Sequence, residues 1–139
     1  MRIYDDLVIE SSRDKLEELL LDTEFPWYFV KRSSGAAPKI DAFVDCPQLV
    51  HKFIDDDKIS SNHIHEVMRL LNWENILSVT GAPERIIRMK TNLLLKTQNT
   101  PNTPHIDYPD PHIVMLYYVN DSSGPTTFYN RKFKVKKEV

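Results

Sequence analysis

One stretch, Ile113 to Asn120, constrains the fold more than any other. Ile113-Val114-Met115-Leu116-Tyr117-Tyr118-Val119 is apolar at odd and even positions alike. Alternate side chains of a strand leave opposite faces, so this pattern reads as a strand that needs cover on both sides. A chain of 139 residues is the size of one ordinary domain and can supply such cover by layering. The apolar run falls far short of the roughly 20 residues needed to cross a bilayer. Met1-Arg2-Ile3-Tyr4-Asp5-Asp6 lacks the apolar centre of a signal peptide. We therefore expect a soluble, cytoplasmic, single domain over 1–139, with no membrane partner.

The cover comes from the first half, which reads as helical. Ser11 or Ser12 can cap a helix whose apolar stripe is Leu16, Leu19 and Leu20. Phe25-Pro26-Trp27-Tyr28-Phe29-Val30 reads as a short extended segment, and 33–38 as a loop. Asp45-Cys46-Pro47-Gln48 has capping-box spacing with proline in the first turn, predicting a second helix through Leu49, Val50, Phe53 and Ile54. A third helix is expected from about Asn62 to Leu71, with Ile64, Val67, Met68 and Leu71 on one face. On helices, His51, His63 and His65 read as surface or half-buried residues and not as ligands, and Asp55-Asp56-Asp57 reads as a solvated loop.

The second half changes character. Arg85 to Thr97 reads as one or two strands, 98–104 as a proline-broken loop, 121–125 as a turn and Thr126 to Tyr129 as a further strand. Helices followed by strands imply an α+β fold, with helical cover over 1–80 and strands over 81–139.

Several functions are excluded by what is scarce. Gly35, Gly81 and Gly124 stand far apart, so no glycine-rich phosphate loop exists. Cys46 is the single cysteine, which excludes an intrachain disulfide and a cysteine-rich zinc site; it reads as a buried structural residue. The formal net charge is −2, but Arg131 to Val139 carries +4. That run reads as an edge strand with lysines outward, and nucleic acid is not an expected partner because no aromatic platform accompanies it.

Chemistry concentrates at Pro104-His105-Ile106-Asp107. In an extended segment, residues i and i+2 leave one face, so His105 and Asp107 converge. An imidazole nitrogen and a carboxylate oxygen are two members of the two-histidine, one-carboxylate triad that binds non-haem Fe(II) and leaves positions open.

The order of motifs around this pair carries a resemblance. Arg88-Met89-Lys90-Thr91-Asn92-Leu93 precedes His105-Ile106-Asp107, and then come Tyr117-Tyr118-Val119-Asn120 and Gly124-Pro125-Thr126-Thr127-Phe128. This order resembles the Fe(II)/2-oxoglutarate-dependent oxygenases of the prolyl-4-hydroxylase-like group, especially cyanophage-encoded forms, most strongly over 86–130. The resemblance implies a double-stranded β-helix, or jelly-roll, under the N-terminal helices. It implies Fe(II) held by His105 and Asp107, 2-oxoglutarate as cosubstrate, and Asn92, Tyr117 and Tyr118 lining the mouth near it. For a phage-encoded protein the compartment would be the host cytoplasm. The substrate class is left open.

The chain departs from the family in one respect. Only 32 residues follow Asp107, and His112 is the sole histidine among them; the family's distal histidine and its 2-oxoglutarate-pairing basic residue have no counterpart. Three readings follow: a truncated or split portion of an oxygenase, a site completed by His112, or a non-catalytic jelly-roll-derived binding or interaction module. An incomplete jelly-roll also leaves Ile113 to Asn120 without cover on one face. The chain is then expected to form a homo-oligomer, take up a complementing chain or aggregate. Face-to-face association is favoured, because the lysines at 132, 134, 136 and 137 oppose edge pairing at the C-terminal strand.

Overall fold

The computed structural model describes residues 2–33, 43, 45–95, 102–121, 124–129 and 135–138. Three helices and six strands are present among them: α1 (Glu10–Leu21), β1 (Tyr28–Val30), β2 (Gln48–Asp55), β3 (Lys58–Ile59), α2 (Ile64–Leu71), α3 (Trp73–Thr80), β4 (Met89–Leu94), β5 (Thr127–Tyr129) and β6 (Val135–Glu138). The architecture is α+β. The chain forms two compact units, one of Met1–Phe29 with Leu49–Leu93 and one of Val30–Gln48 with Leu94–Val139.

In the first unit, α1 buries Leu16 and Leu20, residues spaced to share one face. The helix begins at Glu10 with Ile9 as its N-cap and no side-chain capping bond, so Ser11 and Ser12 sit inside the first turn and not at its cap. α2 packs on α1 and buries Ile64, Val67, Leu70 and Leu71. Asn72 then adopts a left-handed conformation (φ 52°), and its N–H caps the carbonyls of Met68 and Arg69. That single residue separates α2 from α3, a helix for which the sequence held no clear stripe: only Ile76 is buried. Gly81 ends α3 at φ 64°, where its N–H reaches the Leu77 carbonyl. Glycine occupies that conformation without the steric cost a Cβ brings.

The segment over 45–54 is the main correction to the sequence reading. It is not a helix. Asp45, the expected cap, instead accepts hydrogen bonds from Arg32 Nε at 2.7 Å and Ser33 Oγ at 3.2 Å, and Gln48–Asp55 is β2, the strand that pairs with β1, β3 and β4. Val50, His51, Phe53 and Ile54 are all buried, so both faces are covered and no two-residue alternation survives to mark a strand. A short apolar run of this kind is ambiguous by periodicity alone. The expected helical cover over 1–80 thus also contains three of the four strands of the larger sheet.

The core of this unit gathers around His51, which lies on a strand and is only 3 % exposed, against the expectation of a surface or half-buried helix residue. Its ring lies 4.7 Å from Phe25, 4.8 Å from Phe53 and 5.7 Å from His63, centroid to centroid. A carbonyl can only accept, so the 2.8 Å contact between His51 Nδ1 and the Pro26 oxygen is an Nδ1–H donation. Nε2 is then the unprotonated nitrogen, and it is buried with no hydrogen-bond partner. Trp27 Nε1 donates to the Leu20 carbonyl at 3.0 Å, fixing the aromatic segment to the end of α1.

β2 and β3 form an antiparallel hairpin with Ile54 opposite Ile59 and Asp55 opposite Lys58. Asp56 and Asp57 both have positive φ, 48° and 62°, the signature of a type I′ turn whose twist suits a two-residue hairpin. The carboxylate of Asp57 accepts from Arg85 Nε and Nη2 at 3.1 and 2.5 Å, while its N–H donates to the Ile87 carbonyl at 3.0 Å. Asp55 pairs with Lys52 at 2.6 Å and Arg88 at 3.6 Å. The aspartate run is therefore a hairpin turn whose first and third carboxylates are engaged by basic side chains.

In the second unit, β5 and β6 pair antiparallel, Thr127 opposite Glu138 and Phe128 opposite Lys137, with an irregularity between Phe128 and Tyr129. The expected strand from Thr126 is present, and so is the C-terminal strand. Phe43 packs edge-on against Tyr129 at 5.4 Å. The central expectation of the second half does not hold: residues 113–120 belong to neither sheet, and Ile113 through Tyr118 are exposed. Among the described residues, no strand pairs with this segment, so its two-faced apolar pattern lacks the cover that would make it a core strand. The loop expected over 33–38 lies, beyond Ser33, outside the described residues, as do 98–101 of the second loop and 122–123 of the turn.

Two outcomes are expected. His51→Ala removes a buried ring and its bond to Pro26, and should lower unfolding stability by roughly 2–4 kcal/mol in urea titrations. The Arg85 guanidinium, through its hydrogen bonds and then its charge, holds the Asp57 carboxyl below its ordinary value of 3.8. A lowered carboxyl favours the fold above the ordinary carboxylate range and loses that contribution as pH falls through the folded value. Arg85→Ala should therefore move the Asp57 titration upward, read by carboxyl-carbon NMR.

Candidate functional site

His105 and Asp107 lie in the second unit, in a stretch that is neither strand nor helix. Thr103, at its start, is buried (3 % exposed) and anchors the stretch. Its carbonyl oxygen lies 3.2 Å from His105 Nδ1. The carbonyl must accept, so Nδ1 carries the proton and Nε2 carries the lone pair. Metal-binding histidines are oriented by this arrangement, one ring nitrogen donating to a carbonyl and the other facing the ion. His105 is exposed and Asp107 half-buried.

His112 repeats the pattern. Its Nδ1 donates to the Asp110 carbonyl at 2.7 Å, and Tyr108 packs edge-on against its ring at 6.0 Å. Both histidines are thus held as the same tautomer, each by a carbonyl two residues earlier in the chain. That shared feature was not legible in residue spacing, because it depends on the turn each histidine closes.

The expected residues fall in both units. Asn92 is an exposed residue of β4 in the first unit, whereas Tyr117 and Tyr118 belong to the second. Tyr118 donates its hydroxyl proton to Thr126 Oγ1 at 2.6 Å, just ahead of β5, and Tyr117 is 37 % exposed. Among the described residues, no group of three His, Cys, Asp or Glu side chains is placed to hold a metal ion. His112 therefore does not join His105 and Asp107 in a three-donor set. The donor chemistry of His105 and Asp107 suits Fe(II), but two donors alone do not make the facial site.

Elsewhere, Cys46 is buried, in keeping with a structural thiol. A surface hollow at the C-terminal part of α1 is bordered by Asp14, Glu17, Glu18, Leu21 and Asp22. No helix among the described residues is long and apolar enough to cross a membrane.

Comparison of the chain with protein-family models, with curated proteins and with solved structures returned no match.

Proposed function

We propose that this chain carries the His-x-Asp half of an Fe(II)- and 2-oxoglutarate-dependent oxygenase site, with His105 and Asp107 as two of the iron ligands. The observation that supports this reading is the carbonyl-oriented imidazole. His105 Nδ1 is occupied by Thr103, which leaves the Nε2 lone pair as the ligating atom two residues from a half-buried carboxylate. When bound, iron with 2-oxoglutarate and O₂ supplies hydroxylation of a C–H bond, chemistry that belongs to the metal centre. The roles assigned to this chain are to orient one imidazole, present one carboxylate and, through Tyr117 and Tyr118, border the cosubstrate. All five histidines of this sequence lie among the described residues and no three-donor group forms there, so in this reading a complementing chain supplies the second histidine. In this reading β5 and β6 are part of a jelly-roll, and residues 113–120 are one of its strands awaiting neighbours.

A second reading has its own support. The exposed run from Ile113 to Tyr118 suits a non-catalytic module that uses the half jelly-roll as an interaction surface. The two readings separate by metal binding.

Anaerobic titration of the 139-residue chain with Fe(II) and 2-oxoglutarate, with free imidazole supplying the third donor, should produce a visible metal-to-ligand charge-transfer band. His105→Ala and Asp107→Ala should each weaken Fe(II) binding by more than about tenfold while leaving the circular dichroism spectrum unchanged, since neither side chain is in the core. Fe(II) affinity equal in the wild type and both variants would overturn the assignment. Absence of the band with Fe(II) still bound would remove the cosubstrate and favour the interaction module.

A further inference from the structure

We infer that His51 and His63 form a cation site in the core of the first unit, and that Cu(I) is the ion it takes. The Nε2 atom of His51 is buried with no hydrogen-bond partner, while Nδ1 is committed to the Pro26 carbonyl. A buried lone pair left unused costs free energy that a ligand returns. The His63 ring stands 5.7 Å away, half-buried at the start of α2, and its side chain makes no capping bond. The expectation that neither histidine is a ligand rested on both lying along helices. Instead β2 carries His51 to the N-terminus of α2, where His63 meets it.

The spacing admits an ion. A ring nitrogen stands about 1.2 Å from its ring centre, so two imidazoles sharing a cation through bonds of about 2 Å have centroids roughly 5.3 to 6.5 Å apart, from tetrahedral to opposed. Rings joined by a direct hydrogen bond come no further apart than about 5.3 Å, and the observed 5.7 Å exceeds that. The surroundings select the ion. Among the described residues, no third His, Cys, Asp or Glu joins the pair. Phe25 borders both rings, 4.7 Å from His51 and 5.2 Å from His63, and Phe53 lies 4.8 Å from His51. Divalent iron or zinc asks for three or more protein donors and, against apolar walls, for an anionic one to offset its charge. Cu(I) carries a single charge, binds imidazole and is satisfied by two nitrogen donors, and aromatic faces stabilise that charge. Bound there, it ties the centre of β2 to the start of α2.

This site shares no residue with the iron reading, so either can fail alone. The test uses the 139-residue chain in a Cys46→Ser background, which removes the one thiol. Under anaerobic ascorbate it should withhold one equivalent of Cu(I) from the chelator bicinchoninate, and its urea midpoint should rise as Cu(I) is added. His63→Ala should weaken Cu(I) binding by at least about tenfold and abolish the rise in midpoint. Its circular dichroism spectrum should stay unchanged, because the side chain caps nothing. His51→Phe, which keeps a ring at that position of β2, should lose Cu(I) in the same way, whereas His65→Ala, at an exposed position of α2, should retain it. Cu(I) held equally by the parent and His63→Ala, or not withheld from the chelator at all, would overturn the site. Zn(II) held more tightly than Cu(I) would overturn the choice of ion.

Discussion

The hydrogen bond from His51 Nδ1 to the Pro26 carbonyl fixes a polar ring inside an apolar core, and the first unit is arranged around it. A buried ring nitrogen without a partner costs free energy, and here that cost falls on Nε2. Phe25, Phe53 and His63 close around the imidazole, so their packing holds in place a group that gains only one polar contact. The ring in turn joins the centre of β2 to the aromatic segment that Trp27 ties to α1. Three stretches distant in sequence, near residues 25, 51 and 63, thereby share one small cluster.

How much of this was legible depends on whether a segment's environment is one-sided. α1 and α2 each present one buried face, and their spacing of leucine, isoleucine and valine identified both. β5 stood out between a turn and a run of alternating residues. β2 did not, because burial of Val50 and Ile54 on one face and His51 and Phe53 on the other erases alternation, while Asp45 and Pro47 imitate a helix start. The opposite error arose at Ile113 to Asn120. The same two-faced pattern predicted a buried strand, and the described residues provide no layers to bury it. Sequence can state that such a segment needs cover without stating what supplies it.

At the candidate site, residue types were legible and their orientation was not. His105 and Asp107 stand out because an i, i+2 spacing puts an imidazole and a carboxylate on one face of an extended segment. The tautomers of His105 and His112 depend on carbonyls of Thr103 and Asp110, and backbone oxygens have no signature in sequence. The bond from Tyr118 to Thr126 likewise depends on a chain reversal that composition alone does not specify.

The turn at Asp56 and Asp57 bears on the order in which the chain can assemble. Both residues sit in a conformation that L side chains adopt at a cost, and neither is glycine, so the hairpin is weakly encoded by its own four residues. Its support is the Arg85 guanidinium and the Ile87 carbonyl, with α2 and α3 intervening in sequence. A chain emerging N-terminus first presents β2 and β3 well before residues 85–87 exist to clasp their turn. Closing that loop carries the entropy of a long-range contact. The hairpin is local in topology, but the groups that clasp its turn lie beyond two helices in sequence.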